Sequence, residues 1–284
     1  MARWTADSIP SLAGCRALVT GANSGLGFVT CLELARHGAD VTMAVRDQSR
    51  GEQAHERITS SLRDTPGAGR VRLAALDLAD LGSVRALAAA EVAEHSRLDL
   101  LVNNAGVMAI PRRLTADGFE MQFGTNHLGH FALTVPLLPT LVDGGRVVVL
   151  SSAGHRFAHV DLDDPNFERS AYEPWIAYGR SKTANALFAL ELDRRLDGRA
   201  HAFSVHPGGI QTALGRHLTE ETIGTLMASM PEGPVEWKSV PQGAATTCWA
   251  ATAPELDAHG GAYLEDCHVA TPTEDPRSRT GVRA

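Results

Sequence analysis

Lysine is almost missing. The 284-residue chain has only Lys182 and Lys238 among its 26 basic residues. Against 33 acidic residues the net charge is −7, so no broad basic surface is available, and nucleic acid or an anionic membrane is not expected as a partner. Cysteine is scarce as well. Cys15, Cys31, Cys248 and Cys267 include no C-x-x-C pair, which excludes a disulfide framework and fits a reducing, cytoplasmic setting. No uninterrupted apolar run reaches the ~18 residues of a membrane span; residues 131–142 come closest and hold two prolines. Residues 1–10 contain an aspartate and no apolar core, so no secretory leader is read there. Gly-x-Ser-x-Gly is absent, which argues against a serine-hydrolase elbow. His127/His130 and His155/His159 have metal-capable spacings but no third ligand, so no metal is expected. Asp161, Asp163 and Asp164 lack the EF-hand pattern and read as a solvated loop.

What is present is a strong alternation. Short β-branched or leucine-rich runs fall at 15–20, 40–45, 71–76, 98–102, 146–150, 200–205 and, weakly, 261–264. Helix-period segments separate them at 25–37, 49–62, 81–95, 118–141, 175–196 and 243–252. Such alternation predicts an α/β domain with a parallel sheet of about seven strands and helices on both faces. No linker splits the chain, so 12–270 reads as one domain. Two stretches break the rhythm: a polar loop at 155–174, and a Gly-, Pro- and Met-rich segment at 214–241 that reads as a substrate lid. The polar tail 271–284 is expected to fray.

The first run leads into Thr20-Gly21-Ala22-Asn23-Ser24-Gly25-Leu26-Gly27 and then a helix. Gly21 allows a tight turn, Gly25 lets the backbone approach a pyrophosphate, and Gly27 lets the helix pack on the strand. The helix N-terminus offers free N–H groups to the phosphates. This strand–turn–helix context predicts a Rossmann-type, doubly wound nucleotide fold. Arg46 follows the second run where an acidic residue would hold an NAD ribose. A guanidinium there suits a 2′-phosphate, so NADP(H) is favoured over NAD(H), although neighbouring Asp47 could neutralise it. Asp77-Leu78 and Asn103-Asn104-Ala105-Gly106 close the third and fourth runs, at the strand ends where ligands of such sheets collect.

Tyr178-Gly179-Arg180-Ser181-Lys182 lies on a helical pattern, so tyrosine and lysine share a face. With three tyrosines and two lysines, chance gives such a pair in only about 2% of shuffles. A cation beside a phenol favours phenolate, and so makes proton exchange with an alcohol or carbonyl feasible. Ser151-Ser152 end the fifth run, where a hydroxyl could steady a substrate oxygen. Asn126 sits inside a helical segment, an unfavourable place that hints at a kink or a bound water.

Together TGANSGLG, Asp77-Leu78, NNAG, Asn126, Ser152, YGRSK and His206-Pro207-Gly208 resemble the short-chain dehydrogenase/reductase family. The resemblance implies Tyr178 as general acid/base, Lys182 lowering its pKa and holding the nicotinamide ribose, and Ser152 positioning the carbonyl. It implies that Asn126 supports a water relay, and that Pro207, Gly208, Ile210 and Thr212 lie near the nicotinamide carboxamide. Ser152 and Tyr178 are 26 residues apart, about twice the usual family interval, and the flanking residues resemble the retinol dehydrogenase and WW-domain-containing oxidoreductase branch. That branch implies a lipophilic alcohol, aldehyde or ketone as substrate; the family implies a homodimer or homotetramer. Two other readings are a nucleotide-sensing binding protein without turnover, and an epimerase or dehydratase that retains its cofactor. The complete Tyr178, Lys182, Ser152 and Asn126 set argues against the sensor.

Overall fold

The computed structural model describes residues 4–95, 97–229, 237–275, 278 and 280–283. Seven strands run parallel in one sheet: β1 (Arg16–Thr20), β2 (Asp40–Val45), β3 (Val71–Ala75), β4 (Leu98–Asn103), β5 (Leu141–Leu150), β6 (His201–His206) and β7 (Tyr263–Glu265). An eighth, β8 (His268–Val269), turns back antiparallel on β7. The spatial order β3-β2-β1-β4-β5-β6-β7-β8 reverses direction between β1 and β4. A crevice opens at that reversal, beyond the carboxyl ends of the two strands. The segments after β1 and after β4 therefore face each other.

The strands carry nearly continuous apolar runs because both faces are covered. Period-two alternation sends Val19, Val148 and Leu150 to one layer, and Leu18, Val147 and Val149 to the other. The first layer is made by α1 (Gly25–Arg36), α2 (Gln48–Leu62) and α8 (Val240–Thr252), with Leu34, Ile58 and Trp249 in its core. The second is made by α3 (Leu81–Glu94), α5 (Gly129–Leu137) and α6 (Pro174–Leu196), with Val84, Leu133 and Leu192. Each such side chain taken from water is worth roughly 1.5–3 kcal/mol. Local signals start the helices. Asp80 caps α3, Glu173 caps α6 ahead of Pro174, and Ser239 with Gln242 forms a capping box on α8.

The structure departs from the sequence pattern in four places. The helical stretch expected at 118–141 is broken into α4 (Met121–Phe123), a π turn at Gly124–Leu128, α5 and a 3₁₀ turn, and β5 starts at Leu141. The polar Asp143-Gly144-Gly145, with Gly144 at φ +74°, hides that start. The lid stretch 214–241 contains α7 (Glu220–Ser229), and its residues 230–236 lie outside the described residues. Strand β8 is too short and polar to carry a pattern. Finally, the described part of the tail is docked rather than frayed. Strand β9 (Pro272–Thr273) pairs with β10 (Val282–Arg283), and Gly281 N donates to the buried Glu265 carboxylate at 2.6 Å. The Arg156 guanidinium donates to the carbonyls of Ser278 and Thr280.

Candidate active site

The crevice is lined by glycines whose lack of a side chain is required. Gly21 has φ +66°, and a Cβ there would stand 2.9 Å from Ala105. Gly25 has φ +55° and faces Thr212. A Cβ on Gly27 would lie 2.5 Å from both the Gly21 carbonyl and Asn104 Nδ2, so glycine alone lets α1 start this close to β1. Ser24 stands at the N-cap of α1 without using its hydroxyl as a cap, and Asn23 is half-buried in the same turn. The N–H groups of α1 thus face an open cradle, which fits a pyrophosphate. The Leu26 side chain packs toward Gly243 of α8 beside Ile210.

Across the crevice, Asn104 Nδ2 donates to the Thr20 carbonyl at 2.7 Å, while the N–H groups of Asn104 and Ala105 donate to Thr20 Oγ1 at 2.9 and 3.0 Å. Asp77 accepts from Ala79 N at 2.9 Å and shapes the turn after β3, and Leu78 is buried against Gly129. Arg46 is exposed at the end of β2. Asp47 does not neutralise it: its carboxylate accepts from Arg50 N at 3.1 Å and caps α2.

Asn126 lies in the π turn, a widening that often marks functional positions in helices. Its side chain closes a reciprocal pair with Val107, accepting from Val107 N at 2.8 Å and donating to Val107 O at 2.9 Å, and also donates to Ser181 Oγ at 2.9 Å. Its backbone carbonyl lies 2.9 Å from His130 Nδ1. A carbonyl only accepts, so the proton sits on Nδ1. Nε2 then accepts from the Thr20 hydroxyl, 2.8 Å away. His130 is fully buried, and desolvation pushes its pKa down to about 3, so it stays neutral. This link between Thr20 and Asn126 was not legible in the sequence, where His130 figured only as half of an i, i+3 pair.

Ser152, Tyr178 and Lys182 come together above the ends of β5 and α6. Ser151 is engaged elsewhere, donating to the Lys182 carbonyl at 2.8 Å, whereas the Ser152 hydroxyl accepts from Gly154 N at 3.1 Å and lies beside Tyr178, both side chains facing Gly154. Lys182 Nζ donates to Leu150 O at 2.9 Å and lies 5.6 Å from the centre of the Tyr178 ring. Burial dominates both groups. It pushes the phenol up to about 12, against the pull of Ser152, and the ammonium down to about 7. The proton is therefore held on Tyr178 in this state. Gly154 is an unexpected participant: a Cβ there would meet the Tyr178 ring at 2.8 Å.

Pro207 and Gly208 follow β6, Gly208 with φ +92° against Lys238. Ile210 pairs with Lys238 in an isolated parallel bridge, and Thr212 caps the 3₁₀ turn Ala213–His217. Beside Tyr178 an apolar wall collects Met108, Ala109, Phe157, Trp175, Leu218 and Leu226. The Trp175 indole donates to Thr222 O at 2.8 Å, tying α7 to the tyrosine's own helix.

The loop 158–173 is pinned rather than solvated. Asp164 is buried and accepts from Ser170 Oγ at 2.7 Å and from the N–H groups of Ser170, Glu168 and Arg169, bonds that hold its carboxyl well below the usual range. Arg180 of α6 reaches the Asp164 carbonyl and Asp161, and stacks 4.1 Å from the centre of Phe167. Among the described residues no group of three metal-ligating side chains is placed to hold an ion, and no helix is long and apolar enough to cross a membrane.

A nucleotide cradle facing a buried serine–tyrosine–lysine group is the architecture of a nicotinamide-dependent oxidoreductase. The chain matches the short chain dehydrogenase family over residues 16–223 and belongs to it. It is 42% identical over 269 residues to retinol dehydrogenase 14 of Homo sapiens, covering 89% of this chain and 79% of that one. Among solved structures, an uncharacterised protein from Mycobacterium paratuberculosis is 43% identical with a TM-score of 0.72, covering 93% of this chain and 85% of that one. A short chain dehydrogenase from Burkholderia cenocepacia in complex with NADP is 25% identical with a TM-score of 0.70, covering 90% and 97%.

Proposed function

We propose that this protein is an NADP(H)-dependent oxidoreductase that interconverts the carbonyl and alcohol forms of a lipophilic small molecule. The observation that carries this reading is the buried Tyr178, beside Ser152, Lys182 and an apolar wall on the same crevice edge as the glycine turn. The nicotinamide, when bound, supplies or accepts the hydride. The glycine turn and the start of α1 would hold its pyrophosphate, Arg46 its 2′-phosphate, and Lys182 its ribose.

The chain's own residues handle the proton and the oxygen. Ser152 donates a hydrogen bond to the substrate oxygen and orients it toward Tyr178. Tyr178, protonated in its buried setting, delivers its proton as charge develops on that oxygen. The phenolate left behind is stabilised by Lys182, whose ammonium regains full charge beside an anion. Asn126 keeps Val107 and Ser181 in place behind the lysine. Met108, Phe157, Trp175, Leu218 and Leu226 exclude water and favour apolar substrates.

The test is NADPH consumption by purified protein across hydrophobic aldehydes, ketones and quinones, with Tyr178→Phe alongside. We expect turnover with some of these substrates, reduced in the variant by at least about a hundredfold with NADPH affinity nearly unchanged. Full activity in the variant would remove Tyr178 from the mechanism. Binding of NADPH without turnover on any substrate would favour the sensor reading, and a nucleotide that co-purifies and is never consumed would favour the epimerase or dehydratase.

A further inference from the structure

Strands β5 and β6 end side by side, with Leu150 paired to Val205. Their ladder closes where Ser151 N donates to Val205 O at 2.8 Å. Beyond that bond a side chain takes over. Ala153 N, next to Ser152, donates to His206 Nδ1 at 3.2 Å, and Gly208 N donates to the same nitrogen at 3.4 Å. Backbone N–H groups only donate, so Nδ1 carries the lone pair and the neutral ring keeps its proton on Nε2. A second imidazole holds the same turn through the opposite tautomer. His155 Nδ1 lies 2.7 Å from the Ser152 carbonyl, which only accepts, so there the proton sits on Nδ1.

His206 thus joins two turns that the sheet has ceased to connect. One carries Ser152, whose hydroxyl faces Gly154 together with the Tyr178 ring. The other is Pro207-Gly208, with Gly208 at φ +92°. We propose that His206 is a positioning residue: the lone pair of Nδ1 sets the Ser152 turn against the Pro207-Gly208 turn, and so the substrate oxygen against the nicotinamide. The proposal rests on the reading of Ser152 as the group that holds the substrate oxygen, and deepens it. A misplacement of about 1 Å between reacting groups costs up to ~100-fold in rate. A side chain that acts only through two turns can therefore govern kcat. An alkyl group at this position would take the acceptor from both N–H groups and leave the two turns to drift apart.

The test compares full-length His206→Asn, His206→Gln, His206→Ala and Ser152→Ala with the wild type. Asparagine places Oδ1 where Nδ1 stands, two bonds from Cβ, whereas glutamine carries its acceptor one bond farther out. The assay uses NADPH and whichever hydrophobic aldehyde the wild type reduces fastest, with kcat counted per NADPH-binding site. We expect kcat to fall roughly ten- to a hundredfold in His206→Ala and His206→Gln. In His206→Asn it should stay within about threefold of the wild type, with NADPH affinity within about threefold in all three. Equal kcat losses in the three variants would mean that the ring only fills space, and would overturn the proposal. Wild-type kcat in His206→Ala, with activity lost in Ser152→Ala, would overturn it and leave the reading of Ser152 intact. Wild-type kcat in Ser152→Ala would overturn both. Histidine ¹⁵N spectra at neutral pH need no substrate: the ring signals lost in His206→Asn should show a bare Nδ1. A protonated Nδ1 would overturn the proposal, because it cannot accept from Ala153.

Discussion

The two sides of the crevice are built by different means. On the nucleotide side, β1 to β4 and α1 to α3 meet at close backbone distances, and order comes from regular elements in register. On the side beside Tyr178, the loop 158–173, α7 and the tail are held by individual side chains reaching across sequence: Asp164, Arg180, Trp175, Arg156 and Glu265. The first construction is rigid because it leaves no room. The second is adjustable, because each anchor can be lost or moved without disturbing the sheet.

If closeness defines the nucleotide side, adding a methyl group there should have the largest effect. Gly27→Ala places a Cβ 2.5 Å from the Gly21 carbonyl, a backbone atom that cannot swing away. Helix α1 must shift off β1, at a cost of about 1–3 kcal/mol from overpacking. The cradle of N–H groups moves with it. Titration should show NADPH and NADH both weakened by more than about a hundredfold, since each group displaced from the pyrophosphate loses a charge-assisted hydrogen bond. Loss for one dinucleotide alone would mean that the turn does not hold the part the two share.

The same division explains what could be read without coordinates. Seven strands, the glycine turn and the Tyr178–Lys182 pair are local patterns of period 2, 3.6 or fixed spacing, and each survives in a single stretch of sequence. His130 could not be read, because its meaning lies in Thr20, 110 residues away, and in the carbonyl of Asn126. Gly154 matters only because α6 brings the Tyr178 ring to it. Asp164 sits in a run of acidic residues that looks solvated until the backbone curls around it. Such anchors have no period, and composition alone points away from them.

Acid should weaken the fold by up to about a factor of ten in the folding equilibrium for each pH unit and each imidazole held neutral. His130, fully buried, and His206, half-buried, have pKa values pushed by desolvation to about 3, against about 6.5 when unfolded. The unfolded chain therefore binds more protons between those values. The stability these neutral imidazoles preserve is fully present above pH 6.5 and is lost as pH falls toward 3. Asp164 behaves oppositely in position: its lowered pKa keeps its hydrogen bonds intact through that whole window. Denaturant unfolding between pH 7 and 4.5 should thus show a falling stability whose slope is flatter, by up to ~1.4 kcal/mol per pH unit, in His130→Asn. An unchanged slope would mean that His130 is protonated in the fold.

The smallest effect is expected where the construction is adjustable. Asp164→Ala removes the acceptor of Ser170 Oγ and of the N–H groups of Glu168, Arg169 and Ser170, but Arg180 still holds the Asp164 carbonyl and stacks on Phe167. The loop should loosen without detaching. It leads into Glu173, Pro174 and the Trp175 that links Tyr178 to α7, so the consequence belongs to the substrate wall. A rise in KM of about three- to tenfold for a bulky carbonyl, with kcat and NADPH affinity within about twofold, is the expected outcome in steady-state kinetics. A matching loss of NADPH affinity would show that the two sides of the crevice are mechanically one, because a loop with no contact to the glycine turn would then be setting its geometry.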